Sequence, residues 1–403
     1  MISFDFWVLL GTFLFISRVE SATKDDDLIT NLPGLTFTPT FKQYSGYLDT
    51  TQGNHLHYWF VEAQTNPTSA PLLLWLNGGP GCSSMDGFLT EMGPFRPTRD
   101  GSALVENVYS WNKLANMLYL ESPRDIGYSY RDKNATKDTL YNDDKTAIDN
   151  VLALQAFFAR FPEYNQRPFY VTGESYGGVY VPTLTNLLVK MIQNGSIPNI
   201  NLVGMAVGNG ALNRVDLVNS GLDLVYYRGI IGKTEFDAMQ QCCMSNDEMK
   251  TPLQYCNFSQ WVHIDDYGNA VPNNYNDASQ QSCANRTVKY GQQLVWETAN
   301  NVYNTWSDCY DAPMQPALGE KIKKMVKRHP YLKLFSSSLD YQMFSNGQNP
   351  FVDQGSKGSQ ASTDAVGGFS CYAADAATAY MNRDDVKKAL HIPGWASSMA
   401  IVQ

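Results

Sequence analysis

A serine that could act as a nucleophile lies in the run Gly173-Glu-Ser-Tyr-Gly177, which has the Gly-x-Ser-x-Gly pattern. The strand-forming residues 169–172 precede this turn, and the apolar spacing over residues 179–192 predicts a helix after it. A turn between a strand and a helix raises the serine hydroxyl above the edge of a sheet, where it can attack a carbonyl carbon. The sequence therefore predicts a nucleophile elbow with Ser175 at its tip.

A glycine-rich loop further upstream offers the second part of an acyl-transfer site. The apolar residues 72–76 have the pattern of a buried strand and continue directly into Asn77-Gly-Gly-Pro-Gly-Cys-Ser-Ser84. The exposed backbone N–H groups of such a loop are what an oxyanion hole requires. A tight turn beside a chance Gly-x-Ser-x-Gly is the alternative. However, both motifs follow apolar strands in the order of an α/β-hydrolase, which favours that fold.

Several further motifs, in the same order along the chain, resemble those of the serine carboxypeptidases, including the lysosomal members of that family. They are Leu32-Pro-Gly-Leu35, Gln43-Tyr-Ser-Gly-Tyr-Leu48, Leu56-His-Tyr-Trp-Phe-Val-Glu62, Tyr109-Ser-Trp-Asn112, Leu118-Tyr-Leu-Glu-Ser-Pro123 and Ala206-Val-Gly-Asn-Gly210. The resemblance covers about residues 32–260 and returns around residues 380–390. It implies a serine-type carboxypeptidase that acts on peptide or protein C-termini at acid pH, with no cofactor and no metal.

The resemblance also implies the residues that perform the reaction. Ser175 is expected to form the acyl-enzyme. The backbone N–H groups of Gly79 and Tyr176 are expected to form the oxyanion hole, which usually contributes the largest part of transition-state stabilisation.

A site for the free carboxylate of the substrate is a further implication of the resemblance, formed by Asn77, the Gly78 amide, Glu174 and its partner Glu91. A buried glutamate that faces a carboxylate must hold a proton, because two like charges would repel. A carboxyl pair that shares one proton favours an acidic working pH. For Glu91 the alternative is an ordinary glutamate on a helix surface. Asp86 is a candidate for the pocket of the leaving residue.

The acyl-transfer serine also needs a histidine base and a carboxylate that orients it, and in α/β-hydrolases both follow the serine in the chain. We expect the chain to end at Gln403 before these residues and the last core strands, and therefore to have weak activity or none. None of the five histidines is expected to act as the base; they are His55, His57, His263, His329 and His391. The alternatives are a catalytically deficient form that binds peptides or stabilises partner proteins, and acyl transfer to an acceptor other than water.

The N-terminal residues and the surface composition indicate the secretory pathway. Residues 6–16 are apolar but too few to span a membrane, which predicts a signal peptide over residues 1–21 and no membrane span. Glycosylation sequons lie at Asn134, Asn194, Asn257 and Asn285. The net charge of −9 argues against nucleic acid as a partner. We expect a lysosomal or secreted protein, with a homodimer or lysosomal hydrolases as candidate partners.

Seven cysteines in an oxidising compartment predict disulfides with one cysteine left over. The resemblance implies a bond between Cys82 and Cys371, and Cys309 is the expected odd residue. The other four form a cluster whose connectivity stays open: Cys242, Cys243, Cys256 and Cys283. Their spacing lacks Cys-x-x-Cys pairs and neighbouring histidines, which argues against zinc.

The pattern of elements divides the chain. Residues 22–208 alternate predicted strands (72–76, 117–121, 169–172 and 202–207) with helices such as 146–160. This alternation predicts a mostly parallel sheet with helices on both faces. Residues 209–335, with predicted helices over 233–243 and 292–304, are expected to form an inserted helical lid. Residues 336–368 are predicted to be a flexible linker, and residues 369–403 a partial return to the core.

Overall fold

The computed structural model describes residues 23–51, 53–98, 100–135, 141–197, 200–243, 257–265, 270–293 and 373–396, with residues 398, 399 and 401. The strands are β1 (Gln43–Asp49), β2 (Asn54–Val61), β3 (Leu72–Leu76), β4 (Phe95–Pro97), β5 (Leu104–Glu106), β6 (Asn116–Leu120), β7 (Tyr130–Arg131), β8 (Phe169–Glu174), β9 (Leu202–Gly208), β10 (Val262–Ile264) and β11 (Ala270–Pro272). The helices are α1 (Asp143–Arg160), α2 (Gly177–Gln193), α3 (Arg214–Tyr227), α4 (Lys233–Cys243), α5 (Ala278–Val288), α6 (Ala373–Met381) and α7 (Asp384–Ala389).

The main sheet has the strand order β1-β2-β6-β3-β8-β9, with β7 paired to β2. Strands β6, β3, β8 and β9 are parallel to one another, whereas β2 pairs antiparallel with β6 and, with β1 and β7, forms an antiparallel edge. The predicted α/β fold is confirmed. The predicted strand over residues 72–76 is confirmed residue for residue, and β6 begins one residue earlier than expected.

Side chains on β3 show how the sheet is buried on both faces. Leu72, Leu74 and Leu76 belong to the core cluster that contains the inner faces of α1 and α2. Trp75 points to the opposite cluster, together with residues of α6 such as Tyr380. A buried parallel strand is apolar on both faces for this reason. The expectation of helices on both faces is therefore confirmed.

Helix α1 begins three residues before its predicted start. The side chain of Asn142 accepts a hydrogen bond from Lys145 N and caps the first turn, in which Asp143 and Asp144 complement the helix dipole. At the other end, Arg160 Nη1 donates to Asp27 Oδ2 at 2.6 Å and so fixes the segment that precedes β1. The cap lies outside the apolar pattern, which is why periodicity placed the start too late.

Residues after β9 form helices and a small hairpin around a third apolar cluster. The predicted helix over residues 233–243 is confirmed as α4. The disulfide joins Cys242 at the end of α4 to Cys283 in α5, which answers the connectivity question for these two cysteines. Residues 289–293 form a π-helical turn, and the rest of the helix predicted over 292–304 lies outside the described residues. The lid assignment itself stays a prediction.

The last described segment packs back on the core. Tyr380 in α6 donates its hydroxyl to Pro33 O at 2.7 Å, and Tyr128 donates to Met381 O at 2.7 Å. Ser83 N, in the glycine-rich loop, donates to Ile401 O at 3.0 Å. The predicted signal peptide and linker lie outside the described residues, as do His329, Cys256, Cys309 and Cys371.

Two features are absent from the described part of the chain. Its helices include none that is both long and apolar enough to cross a membrane. The same residues contain no group of three or more histidine, cysteine, aspartate or glutamate side chains arranged to hold a metal ion.

Candidate active site

Ser175 stands between the end of β8 and the start of α2, with φ of +54°. This left-handed conformation is uncommon for a residue other than glycine and costs free energy unless its surroundings hold it. Backbone bonds do so here. Ser175 N donates to Gly208 O at 3.1 Å, and Ser175 O accepts from Gly178 N at 2.9 Å and Ala211 N at 2.8 Å. The side chain is exposed, so the geometry is that of the predicted elbow.

The glycine-rich loop lies directly against this turn. A Cβ on Gly78 would stand 2.4 Å from Tyr176 N and 2.7 Å from the Cβ of Ser175, so only glycine fits there. Gly79 follows with φ of +106°, and Cys82 N donates to Gly78 O at 3.1 Å. The structure thus brings the loop backbone, Ser175 and Tyr176, the N-cap residue of α2, close together, as an oxyanion hole requires.

Asn77 links this loop to the residue before the serine. Its side-chain Nδ2 donates to Glu174 Oε1 at 3.0 Å. Its Oδ1 accepts from Trp75 Nε1 at 2.6 Å and from Gly87 N at 3.0 Å. Because both partners of Oδ1 are donors, the orientation of the buried amide is fixed by the network. Trp75 was missed by the sequence reasoning, although its position two residues before Asn77 on a strand places both on one face.

Three carboxyl groups lie together at this point: Glu174, Glu91 and Asp86. Glu91 hydrogen-bonds to Glu174, which requires a proton between the two groups. Burial and the Glu174 carboxyl raise the pKa of Glu91, and burial raises the pKa of Glu174. Burial, followed by repulsion from Glu174, raises the pKa of Asp86 to about 6 against the opposing hydrogen bond from Thr90. Glu91 therefore faces another carboxyl group, not solvent on a helix surface.

The described histidines make their hydrogen bonds elsewhere. His55 bonds to Asp49, and His57 is enclosed between Glu121 and Ser45. His263 bonds to Asn273 at 2.8 Å, and His391 to Ser45 O at 2.8 Å. Within the described residues no histidine is hydrogen-bonded to Ser175, and the expectation that none of these four is its base stays a prediction.

The remaining predicted sites are surface features. The four sequon asparagines, at positions 134, 194, 257 and 285, are all exposed, so a glycan could be attached to each without disturbing the core.

Cys82 is half-buried within the glycine-rich loop. Its expected partner Cys371 lies outside the described residues, and this bond stays a prediction.

The carboxyl pair makes stability depend on pH. Because the pKa of Glu91 is raised on folding, the folded chain holds a proton that the unfolded chain releases. Stability is then fully present below the unfolded glutamate pKa, about 4.3, and is lost as pH rises toward the folded pKa. The free energy of unfolding then falls with pH by at most about 1.4 kcal/mol per pH unit. We expect Glu91→Gln to make the free energy of unfolding less dependent on pH.

Denaturant unfolding between pH 5 and 8 measures this slope. The control is Glu163→Gln, since Glu163 is exposed and pairs with Lys24 at the surface. Parallel stability curves for wild type and Glu91→Gln would show that the pair does not share a proton.

A solved structure and two protein relatives match nearly the whole chain. The crystal structure of Kex1(delta)p, a prohormone-processing carboxypeptidase from Saccharomyces cerevisiae, aligns with a TM-score of 0.59 over 94% of this chain and 70% of its own. At 18% identity this likeness shows a shared fold, which is the α/β-hydrolase fold.

The protein relatives share more sequence. The lysosomal protective protein of Mus musculus is 38% identical over 96% of this chain and 71% of its own length. A serine carboxypeptidase of Caenorhabditis elegans, ctsa-3.1, is 36% identical over 96% of this chain and 67% of its own. The family model described as serine carboxypeptidase matches residues 33–401. The chain therefore belongs to the serine carboxypeptidase family of peptidases.

Proposed function

We propose that this family member removes the C-terminal residue of peptides or proteins through an acyl-enzyme on Ser175 at acid pH. The observation that carries the proposal is the hydrogen-bonded set Asn77–Glu174–Glu91 directly beside the elbow serine. An enzyme that acts on C-terminal ends needs a group that recognises the terminal carboxylate next to its nucleophile.

In the proposed reaction, Ser175 Oγ attacks the carbonyl carbon of the last peptide bond as its proton passes to a base. The N–H groups of Gly79 and Tyr176 then stabilise the tetrahedral oxyanion. The C–N bond breaks, the leaving amine takes the proton, and water later hydrolyses the ester. The fixed backbone of Ser175 supports this scheme, because an oxyanion hole works only when its donors are already in place.

The proposed acid optimum follows from the carboxyl groups. A substrate carboxylate binds beside Glu174 and Glu91 only while they hold a proton that they can donate. Burial keeps both in the protonated form to higher pH than an exposed glutamate. The amide Nδ2 of Asn77 is fixed toward this point by Trp75 and Gly87 and adds a neutral donor.

We expect Ser175→Ala to abolish release of the last residue from a blocked dipeptide at about pH 5, which lies between the usual pKa ranges of carboxyl and imidazole groups. We expect Asn77→Ala to keep the serine intact but to raise KM about tenfold or more, since a hydrogen bond to a charged group contributes about 1.5–3 kcal/mol. Steady-state kinetics on the free-acid and the C-terminally amidated dipeptide measure both effects. Equal loss on both substrates in Asn77→Ala would exclude carboxylate recognition by this amide.

Ionisation of Asp86 gives a second pH-dependent outcome. As pH rises through about 6, Asp86 gains a negative charge close to Glu174. That charge opposes the substrate carboxylate, so we expect KM to rise in this range and Asp86→Asn to shift the rise to higher pH. The control is Asp100→Asn, whose carboxylate is exposed. An unchanged KM profile in Asp86→Asn would place Asp86 outside the substrate pocket.

A second candidate function is a catalytically deficient form that binds C-terminal carboxylates or stabilises a partner. It is favoured by one observation, that no histidine among the described residues hydrogen-bonds to Ser175. A folded chain that binds a free-acid dipeptide in preference to its amide, with no turnover that depends on Ser175, would establish this candidate. Turnover of activated esters without peptide hydrolysis would instead indicate acyl transfer.

We also propose that the protein resides in the lysosome or is secreted. The name of the mouse relative, the disulfide and the four exposed sequons support this location. We expect enzymatic removal of N-glycans to lower the mass of the chain made in a secretory host. We expect Asn→Gln changes at positions 134, 194, 257 and 285 to lower it stepwise. An unmodified chain from such a host would contradict the proposal.

A further inference from the structure

A hydrogen-bonded chain of fully buried polar groups runs beneath the glycine-rich loop. His57 in β2, Glu121 after β6, Ser45 in β1 and Ser83 in the loop each have no exposed surface. His57 Nδ1 lies 2.8 Å from Glu121 Oε2, and His57 Nε2 lies 2.9 Å from Ser45 Oγ. The proposed mechanism uses none of these side chains. Burial of a polar group costs free energy unless the group is hydrogen-bonded, so such a network is stable only when its members satisfy one another.

The hydrogen bonds define which nitrogen of His57 carries a proton. Ser45 Oγ lies 2.8 Å from Leu390 O, and a carbonyl oxygen can only accept. The single hydroxyl proton of Ser45 is therefore used toward Leu390. Consequently Ser45 Oγ accepts from His57, and Nε2 of His57 bears a hydrogen.

Glu121 faces the other nitrogen, with its Oε2 at 2.8 Å from His57 Nδ1. Tyr128 N donates to Glu121 Oε2 at 2.7 Å, and the hydroxyl of Ser83 donates to Glu121 Oε1. Ser83 Oγ itself accepts from Met85 N at 3.1 Å, which leaves its proton for Glu121. Glu121 therefore connects the ring of His57 to the side chain of Ser83 in the glycine-rich loop.

The rings of Tyr47 and Tyr128 flank His57, at 5.5 and 5.8 Å between ring centres. Burial raises the pKa of both phenols, which keeps them neutral. His57 and Glu121 satisfy each other inside this buried site, so removal of either side chain leaves a buried polar group without its partner.

We propose that the hydrogen-bonded pair His57–Glu121 positions the glycine-rich loop, through Ser83, so that the loop amides stand at the oxyanion site. Ser83 is held by its side chain to Glu121 and by its backbone N–H to Ile401 O. The N-terminal end of the loop is closed by the bond from Asn77 N to Ser84 Oγ at 3.2 Å. His57, Glu121 and Ser83 are thus positioning residues. Their catalytic effect rests on the proposed function of Ser175, but their effect on the loop does not.

The network is tested by NMR on Ser175→Ala protein labelled with ¹⁵N-histidine. We expect one buried histidine to show a slowly exchanging N–H on Nε2, because Ser45 gives its own proton to Leu390 O. The ring signals of this histidine should move in Glu121→Gln, which changes the partner of Nδ1 but keeps the shape of the side chain. A His57 ring without a hydrogen on Nε2, or ring signals that stay in place in Glu121→Gln, overturns the proposal.

The positioning effect is tested with Ser83→Ala, matched by Ser122→Ala as control. Ser122 is an equally buried serine beside Glu121, but its hydroxyl donates away from the loop, to Asn150 Oδ1 at 2.7 Å. We expect the amide resonances of Gly78 and Gly79 to move in Ser83→Ala and to stay in place in Ser122→Ala. We expect Ser83→Thr, which keeps the hydroxyl, to restore them.

Kinetics separate positioning from general damage. We expect Ser83→Ala to lower kcat about tenfold with a smaller rise in KM, because the Gly79 amide acts on the transition state whereas the Gly78 amide is expected to bind the substrate carboxylate. Unmoved glycine amides in Ser83→Ala, or an equal effect in Ser122→Ala, overturn the proposal. If the wild-type chain shows no turnover that depends on Ser175, the proposed function fails, and the amide and imidazole signals still decide the positioning role.

Discussion

The contact between two neighbouring strand ends governs the rest of the site. β3 and β8 are parallel and adjacent, with Leu76 paired to Gly173, so the segments that follow them emerge side by side. The Gly78 backbone then touches the turn at Ser175 with no space for a side chain. Ligand sites of open α/β sheets form at carboxyl strand ends for this reason. Every proposed role, from the oxyanion amides to the carboxylate site, depends on this approach.

The same contact brings together features that cost free energy. Three carboxyls meet near Glu174, and a non-glycine residue at Ser175 adopts a left-handed backbone. A chain selected for stability alone would avoid both features, which are typical of functional sites. The surrounding structure compensates with fixed hydrogen bonds and with a core that is apolar on both faces of the sheet.

Local patterns predicted well what is determined locally. The elbow, the strand over residues 72–76 and the helix over residues 233–243 depend on neighbouring residues, and the structure has them there. The early start of α1 depends on a capping amide outside the apolar pattern. The roles of Trp75, Glu121 and His57 depend on contacts between distant segments, which spacing along the chain does not encode. His57 in particular has the alternation of an ordinary strand residue, and only its hydrogen-bond partners distinguish it from one.

The adjacency of Glu174 and Ser175 carries a consequence for the length of the substrate. Glu174 and Ser175 are consecutive residues, so the proposed carboxylate-binding group and the nucleophile lie on neighbouring positions of the chain. In a substrate, a single residue lies between the terminal carboxylate and the last peptide bond. The end of β8 would then set the distance from the substrate's chain end to the bond that is cleaved.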